Sequence, residues 1–205
     1  MFAIQNMELC SFMRDLWNKD ELTFLHSFRV TQMAISFAKF LQLSPNEIKT
    51  IELGGLLHDI GKINIDSNIL NKTSKLSCEE YAEIKKHPLY GGEILSKTTL
   101  GQEVYQMVLY HHERWDGAGY PYGLSEKNIP FLARLLALTD TLEAITGIRP
   151  YRSSLSWEEA YLEIDALKGT QFDPYLANEF LIWMKHHEIP IVTNSSLFYQ
   201  KIFSI

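Results

Sequence analysis

Apolar residues recur at three- and four-residue steps along most of the chain, which is the spacing of one face of an amphipathic helix. The clearest stripe runs from Val30 to Leu41, and its extension by one turn toward the N-terminus reaches His26. No internal repeat or low-complexity tract interrupts the pattern, and most segments show helical rather than alternating periodicity. The sequence therefore predicts an all-α fold.

Serine residues mark the predicted starts of three helices. In each case a glutamate follows three residues later, which is the pattern of a capping box. The pairs are Ser44 with Glu47, Ser77 with Glu80, and Ser156 with Glu159. We therefore expect helices to begin near residues 45, 78 and 157. The segment 113–129 is instead rich in glycine and contains a proline, so it predicts a loop.

The composition is typical of one globular domain. Hydrophobic residues make up 46% of the 205 residues and charged residues 21%. The net charge of −6 makes a nucleic-acid polymer an unfavourable partner, although a pocket lined by metals and arginines can still bind a small anion. No apolar run reaches the length of a membrane span, and the first 15 residues lack a signal-peptide pattern. Cys10 and Cys78 are too far apart in the sequence for a thiolate metal motif. Two cysteines are also too few for a disulfide framework, so we expect a cytoplasmic protein.

Five of the seven histidines lie on predicted helix faces or at predicted helix ends beside apolar residues. A single such histidine is more often a hydrogen-bonded core residue than a ligand, but five of them with Asp59 and Asp140 favour a metal centre. Coordination satisfies buried imidazoles and carboxylates together, and seven ligands exceed one tetrahedral site. A carboxylate has two oxygens, so we expect Asp59 to bridge two ions. The five histidines are His26, His58, His87, His111 and His112.

Two motifs identify a family that the chain resembles. The segment His58-Asp59-Ile60-Gly61-Lys62 is similar to the HD signature, and HHERWDGAGYP at residues 111–121 is similar to the extended GYP signature. The resemblance to the HD-GYP family extends from His26 to Pro174. It implies an HD-domain helical bundle around a binuclear metal centre, over residues 21–188. Residues 1–20 would then form an N-terminal helix or extension, and residues 189–205 a C-terminal tail.

The same resemblance implies two divalent metal ions with Asp59 shared between them. One ion would be bound by His26, His58, Asp59 and Asp140, and the other by His87, His111, His112 and Asp59. Family members use iron or manganese most readily, whereas the ligand types alone also allow zinc, nickel or cobalt. Some members bind a third ion through a glutamate one turn before the first histidine. Leu22 stands at that position in this chain, so we expect two ions.

The resemblance also implies a reaction, the hydrolysis of cyclic di-GMP. A hydroxide between two metal ions would attack phosphorus and expel a ribose 3′ oxygen, giving pGpG, GMP or both. Asp59 and Lys62 are the expected catalytic residues, with Lys62 contacting the phosphate or protonating the leaving oxygen. Arg149 and Arg152 would bind phosphate, and Tyr120 would stack on the ligand or hydrogen-bond to it.

Three alternatives stay open at the level of the sequence. The substrate of such an enzyme can be another cyclic dinucleotide, because residues 146–148 depart from the family pattern just before Arg149. Glu143 also departs from the pattern, since an aspartate is usual there, and this bears on the fine geometry of the site. A general HD nucleotidase would share the metal ligands but would not need the long GYP loop. A non-catalytic module would bind the dinucleotide or a GGDEF-domain partner through that loop, but such relatives commonly lose metal ligands and this chain has kept them. A homodimer is also compatible with the sequence.

Overall fold

The structure is a computed structural model that describes residues 7–147 and 154–187. These residues form ten α-helices and two short 3-10 helices, and no strand occurs among them, which confirms the predicted all-α class. The α-helices are α1 (Met7–Lys19), α2 (Glu21–Phe40), α3 (Pro45–Leu57), α4 (Ser67–Leu70), α5 (Cys78–Ile84), α6 (His87–Leu95), α7 (Gln102–Tyr110), α8 (Phe131–Thr146), α9 (Trp157–Ala166) and α10 (Pro174–Lys185). The 3-10 helices span Ile60–Asn64 and Glu126–Asn128.

The three predicted capping boxes are confirmed. Ser44, Ser77 and Ser156 are the N-caps of α3, α5 and α9, and each serine hydroxyl accepts a hydrogen bond from the backbone N–H of the glutamate three residues later. The glutamate side chain in turn accepts from the backbone N–H of the serine. Local sequence therefore fixes where these helices begin.

The central helix is α2, and it contributes to both hydrophobic clusters of the core. Its C-terminal half packs against α8 and α10 in a cluster that α9 also joins, and the Phe37 and Phe180 rings lie 4.8 Å apart there in an edge-to-face contact. Its N-terminal half packs with α1, α3 and α7 around Phe24 and Phe28. Because its neighbours lie on several sides, α2 can carry His26 into the interior.

The N-terminal helix α1 is part of this packing. Leu9, Met13 and Leu16 are its buried residues, and all three belong to the cluster around Phe24 and Phe28. The predicted extension at residues 1–20 therefore contains a helix that packs on the rest of the fold. None of the described helices combines the length and the apolar composition that a membrane crossing requires.

A close backbone approach joins the segment after Asp59 to the start of α6. A Cβ atom at Gly61 would lie 1.9 Å from the carbonyl oxygen of His87 and 2.5 Å from the backbone nitrogen of Gly91. Any side chain at residue 61 would push the two backbones apart. Glycine at this position therefore lets the 3-10 helix Ile60–Asn64 bring Asp59 close to His87.

Candidate metal centre

The predicted ligands lie mostly at helix ends. His58 is the C-cap of α3 and Asp59 follows it, His87 is the first residue of α6, and His111 is the C-cap of α7. His26 and Asp140 come from inside α2 and α8, which pack against each other. The fold brings all seven residues together in two groups, within each of which the candidate ligand atoms lie within 4.8 Å of one another. These groups are His26, His58 and Asp140, and Asp59, His87, His111 and His112.

The Asp59 carboxylate lies between the two groups, with one oxygen facing each. Its Oδ1 is 3.2 Å from His87 Nε2. Its Oδ2 is 3.5 Å from His58 Nε2 and 3.8 Å from His26 Nε2. This division of the two oxygens is the geometry that a bridging carboxylate needs.

Backbone carbonyls fix the protonation of three histidines. In each of them Nδ1 donates a hydrogen bond to the carbonyl oxygen three residues earlier, at 2.7 to 2.8 Å. A carbonyl oxygen can only accept, so the proton sits on Nδ1, and the neutral ring presents the Nε2 lone pair to the interior. The three donor and acceptor pairs are His58 with Gly55, His87 with Ile84, and His111 with Val108.

Several ring nitrogens and one carboxylate oxygen that lie close together in the centre carry no proton, so they cannot hydrogen-bond to one another. His87 Nε2 and His111 Nε2 are 3.3 Å apart, and both present lone pairs. The contact of His87 Nε2 with Asp59 Oδ1 likewise joins two acceptors. His58 Nε2 and Asp59 Oδ1 are buried and have no hydrogen-bond partner among the described residues. A cation satisfies such a set of atoms, and imidazole with carboxylate suits a divalent first-row metal, so the donor set fits the predicted ions.

The electrostatics keep these groups in their ligand forms. Burial lowers the pKa of His87 to about 3 and that of His112 to about 4, and it also lowers the pKa of His111. Burial alone would raise the pKa of Asp59, but Lys62 and the surrounding histidines hold it well below its usual value. The imidazoles of His87, His111 and His112 are therefore neutral, and the Asp59 carboxylate is ionised, at neutral pH.

His26 has different surroundings because carboxylates contact both of its nitrogens. Its Nε2 lies 2.9 Å from Asp140 Oδ1, and its Nδ1 bonds to the Glu143 carboxylate. Glu143 is buried and also accepts from Arg29 Nε at 2.6 Å. Burial opposes protonation of His26, but the hydrogen bonds to Asp140 and Glu143 outweigh it and raise its pKa to about 9. The motifs do not predict this role for Glu143, although its place one turn after Asp140 on α8 is a usable signal.

Lys62 lies beside the centre, on the 3-10 helix that follows Asp59. Its Nζ is 2.6 Å from Asp59 Oδ2, and 20% of its side chain is exposed. Lys62 and His26 also line a cleft of ≈ 360 Å³. The lysine therefore stands between the buried carboxylate and the open cleft.

The predicted loop at 113–129 is held by a buried residue that the motif analysis does not single out. The Glu113 carboxylate accepts hydrogen bonds from the backbone N–H groups of Tyr122 at 2.7 Å and Leu124 at 3.0 Å. A Cβ at Gly119 would come within 2.6 Å of the Glu113 Cα, so the loop folds tightly over the residue after the two histidines. As a result the Tyr120 ring lies 4.8 Å from the His112 ring, at an angle of 30°.

The same loop is tied to the segment before α10. The backbone N–H of Trp115 donates to the Gln171 carbonyl at 3.1 Å, and that of Asp116 donates to the Thr170 carbonyl at 2.8 Å. Arg114 adds a side-chain bond to Gln171 at 3.0 Å. The loop precedes α8 in the chain, and residues 170–171 follow α9. Contacts between these two distant segments therefore hold the loop beside the histidines. The predicted phosphate-binding residues Arg149 and Arg152 lie outside the described residues.

Comparison with known proteins gives matches over most of the chain. The family model described as "HD domain" matches residues 11–176. A cyclic di-GMP phosphodiesterase of Pseudomonas aeruginosa is 38% identical over 167 residues, which is 81% of this chain and 40% of that protein. A 3′3′-cGAMP-specific phosphodiesterase of Vibrio cholerae is 35% identical over 174 residues, which is 84% of this chain and 33% of that protein. The chain thus spans less than half the length of these relatives.

A solved structure has the same fold. The HDG"Y"P protein from Bdellovibrio bacteriovorus superposes with a TM-score of 0.64 at 24% sequence identity, covering 78% of this chain and 51% of that chain. At this identity the likeness concerns the fold alone.

Proposed function

The chain belongs to the HD domain family, and we propose that it is a metal-dependent phosphodiesterase that hydrolyses cyclic di-GMP. The observation that carries the proposal is the position of Asp59, whose two oxygens face two separate groups of histidines. Such an arrangement suits two ions, and phosphodiester hydrolysis is a typical reaction of two-metal sites. The name of the relative from Pseudomonas aeruginosa supports cyclic di-GMP as the substrate.

Two divalent ions, for which we propose iron or manganese, would neutralise the phosphodiester and activate a water molecule. His26, His58 and Asp140 would hold one of them, His87, His111 and His112 the other, and Asp59 both. The carbonyl-bound Nδ1 atoms keep three of the rings in the orientation and tautomer that ligation requires. The buried ligands need little reorganisation because the protein already holds them.

Lys62 is the proposed contact to the scissile phosphate and the proton donor to the leaving oxygen. In the reaction water adds to phosphorus, the bond from phosphorus to the ribose 3′ oxygen breaks, and that oxygen takes a proton. Lys62 lines the cleft and its Nζ contacts Asp59, so a substrate in the cleft would meet this ammonium group beside the carboxylate. A first cut would give pGpG and a second would give GMP.

The remaining substrate contacts are proposed from the sequence resemblance. Tyr120 would contact the ligand from its place against the His112 ring, and Arg149 and Arg152 would bind phosphate. The name of the Vibrio cholerae relative makes cyclic GMP-AMP the second candidate substrate. A GGDEF-domain partner at the loop 113–129, a homodimer and a cytoplasmic location stay predictions from the sequence.

The test is an assay of the metal-loaded protein. We would purify it anaerobically with iron or manganese, incubate it with cyclic di-GMP and with cyclic GMP-AMP, and separate the products by chromatography. Asp59→Asn serves as the inactive variant and Asp165→Asn, an exposed residue on α9, as its matched control. The proposal requires pGpG or GMP from wild type and from Asp165→Asn but not from Asp59→Asn. A fully loaded wild type that leaves both dinucleotides intact would contradict it.

A further inference from the structure

The cleft of ≈ 360 Å³ beside Lys62 extends well beyond the metal centre. It lies between the start of α2, the 3-10 helix Ile60–Asn64, α4 and α5. His26 and Lys62 line it where it meets the centre, whereas Asn71 and Lys72 line it on the far side of α4. The cleft is therefore continuous with the proposed reaction site and has room for a ligand group beyond the reacting phosphate.

The polar part of the cleft consists of side chains held in ion pairs and in a helix cap. Arg29, Lys62 and Lys72 line it, and Asp20 is its one carboxylate among the described residues. The Asp20 side chain is engaged as the N-cap of α2, where it accepts from the backbone N–H of Thr23 at 3.0 Å. Each of the three cations is itself paired with a carboxylate: Arg29 with Glu143, Lys62 with Asp59 and Lys72 with Glu80. The polar wall therefore carries balanced charge, and the cleft is distinguished by its apolar wall.

The other part of the cleft is apolar and aromatic. Leu22 is 56% exposed and Tyr81 is 52% exposed, although both line a concave surface. The remaining apolar residues that line it are Ile69, Leu70, Leu76 and Ile84. Lys85 Nζ lies 5.2 Å from the centre of the Tyr81 ring and 6.0 Å from that of Tyr120, so a cation bridges the two tyrosines. An exposed leucine and an exposed tyrosine at the wall of one cleft favour a flat apolar ligand group.

We propose that this cleft is a nucleobase subsite, in which one base of the cyclic dinucleotide packs against Leu22 and Tyr81. The inference rests on the proposed function, because it assigns the second part of the same substrate. Leu22 precedes His26 by four residues on α2 and so lies on the same helix face, about 6 Å along its axis. A base joined through its ribose to a phosphate at His26 and Lys62 spans that separation.

The test compares a substrate that has bases with one that has none. Tyr81→Ala and Leu22→Asn would be assayed on cyclic di-GMP and on its abasic analogue, a diester of the same ribose phosphates without a nucleobase. The matched controls are Tyr175→Ala and Leu162→Asn, which replace exposed residues away from the cleft. We expect Tyr81→Ala to raise KM for cyclic di-GMP at least about tenfold more than KM for the abasic analogue. Tyr81→Phe keeps the ring and should retain most of the affinity.

Binding of a phosphorothioate analogue of cyclic di-GMP, measured by calorimetry, separates the two hypotheses. If Tyr81→Ala behaves like Tyr175→Ala on both substrates while wild type hydrolyses cyclic di-GMP, the subsite is wrong and the phosphodiesterase stands. If wild type binds the analogue but leaves cyclic di-GMP intact, and Tyr81→Ala weakens that binding, the subsite stands and the proposed reaction is wrong. If wild type neither binds nor hydrolyses the dinucleotide, both are overturned.

Discussion

The two halves of the candidate metal centre are built differently. In one half, His87 and His111 have Nδ1 bound to a backbone carbonyl, and burial lowers their pKa values and that of His112. In the other half, His58 has the same carbonyl bond, but His26 lies between the carboxylates of Asp140 and Glu143, which raise its pKa to about 9. The first half thus offers lone pairs directly, whereas an ion that enters the second half must displace a proton from His26.

The largest expected effect comes from removing the residue that the two halves share. Asp59→Asn keeps the shape of the side chain but loses the charge and one of the two ligating oxygens. We expect metal content to fall in both halves and hydrolysis of cyclic di-GMP to fall by at least about a hundredfold. Loss of a residue that only hydrogen-bonds to a metal ligand already costs up to about a hundredfold, and loss of a ligand should cost more. Metal analysis alongside product chromatography measures both effects. Full metal content in Asp59→Asn would show that Asp59 does not bridge the halves.

His111→Ala tests whether the halves bind independently. The variant removes one ligand from the histidine-rich half and leaves the ligands around His26 unchanged. We expect the metal content to fall from about two ions per chain to about one, with loss of activity. Elemental analysis after gel filtration gives the stoichiometry, and His186→Ala, an exposed histidine after α10, is the control. Loss of both ions in a folded His111→Ala would show that the halves are coupled.

A smaller effect is expected from Glu143→Gln, which acts on His26 without removing a ligand. The amide keeps a hydrogen-bonding group near His26 and Arg29 but removes the negative charge. We expect metal affinity in this half to weaken about 10- to 100-fold, because the carboxylate that raises the pKa of His26 also orients the ring and makes it a stronger donor to an ion, while the histidine-rich half keeps its affinity. Calorimetric metal titration resolves the two steps, with Glu163→Gln on α9 as the control. Equal weakening of both steps would argue against a local role for Glu143.

The smallest effect concerns the loop that covers the histidine-rich half. Glu113→Gln replaces one of the two oxygens that accept the backbone N–H groups of Tyr122 and Leu124. Leaving a buried donor unsatisfied costs roughly 1–3 kcal/mol, and these donors are part-buried, so we expect the low end of that range, with Tm falling by a few degrees and a modest rise in KM. Thermal unfolding measures the change against Glu126→Gln, an exposed residue of the same loop. An unchanged Tm would mean that the loop does not depend on this carboxylate.

Local sequence was sufficient to predict most of the helices and their relation to the ligands. The three serine and glutamate pairs begin helices because a capping box is satisfied within four residues. His26 lies on the buried face of α2, as the apolar stripe predicts. It is spaced from that stripe by one helical turn, so it points into the interior with the apolar residues. The prediction that Asp59 bridges two ions agrees with the geometry, but ligation itself stays a prediction.

The hydrogen bonds that support the candidate ligands and the neighbouring loop could not be predicted from helical periodicity. In the sequence, Glu143 is recognisable only as a departure from the family pattern. In the structure it bonds to His26, which lies 117 residues away in the chain. Glu113 follows the two histidines, yet its bonds to Tyr122 and Leu124 depend on how the loop turns back. Such contacts join residues whose distance is set by packing rather than by helix period.

The sequence by itself determined the all-α class, the helix starts and the set of residues from which a metal centre can be built, because caps and apolar periodicity act within a few residues. Only the tertiary structure decided which oxygen of Asp59 faces which histidines and that Glu143 bonds to His26. It also decided that Leu22 and Tyr81 line one cleft with Lys62. The packing of α2 against α3 and α8, and the close approach at Gly61, set those distances, and neither is encoded in a local pattern.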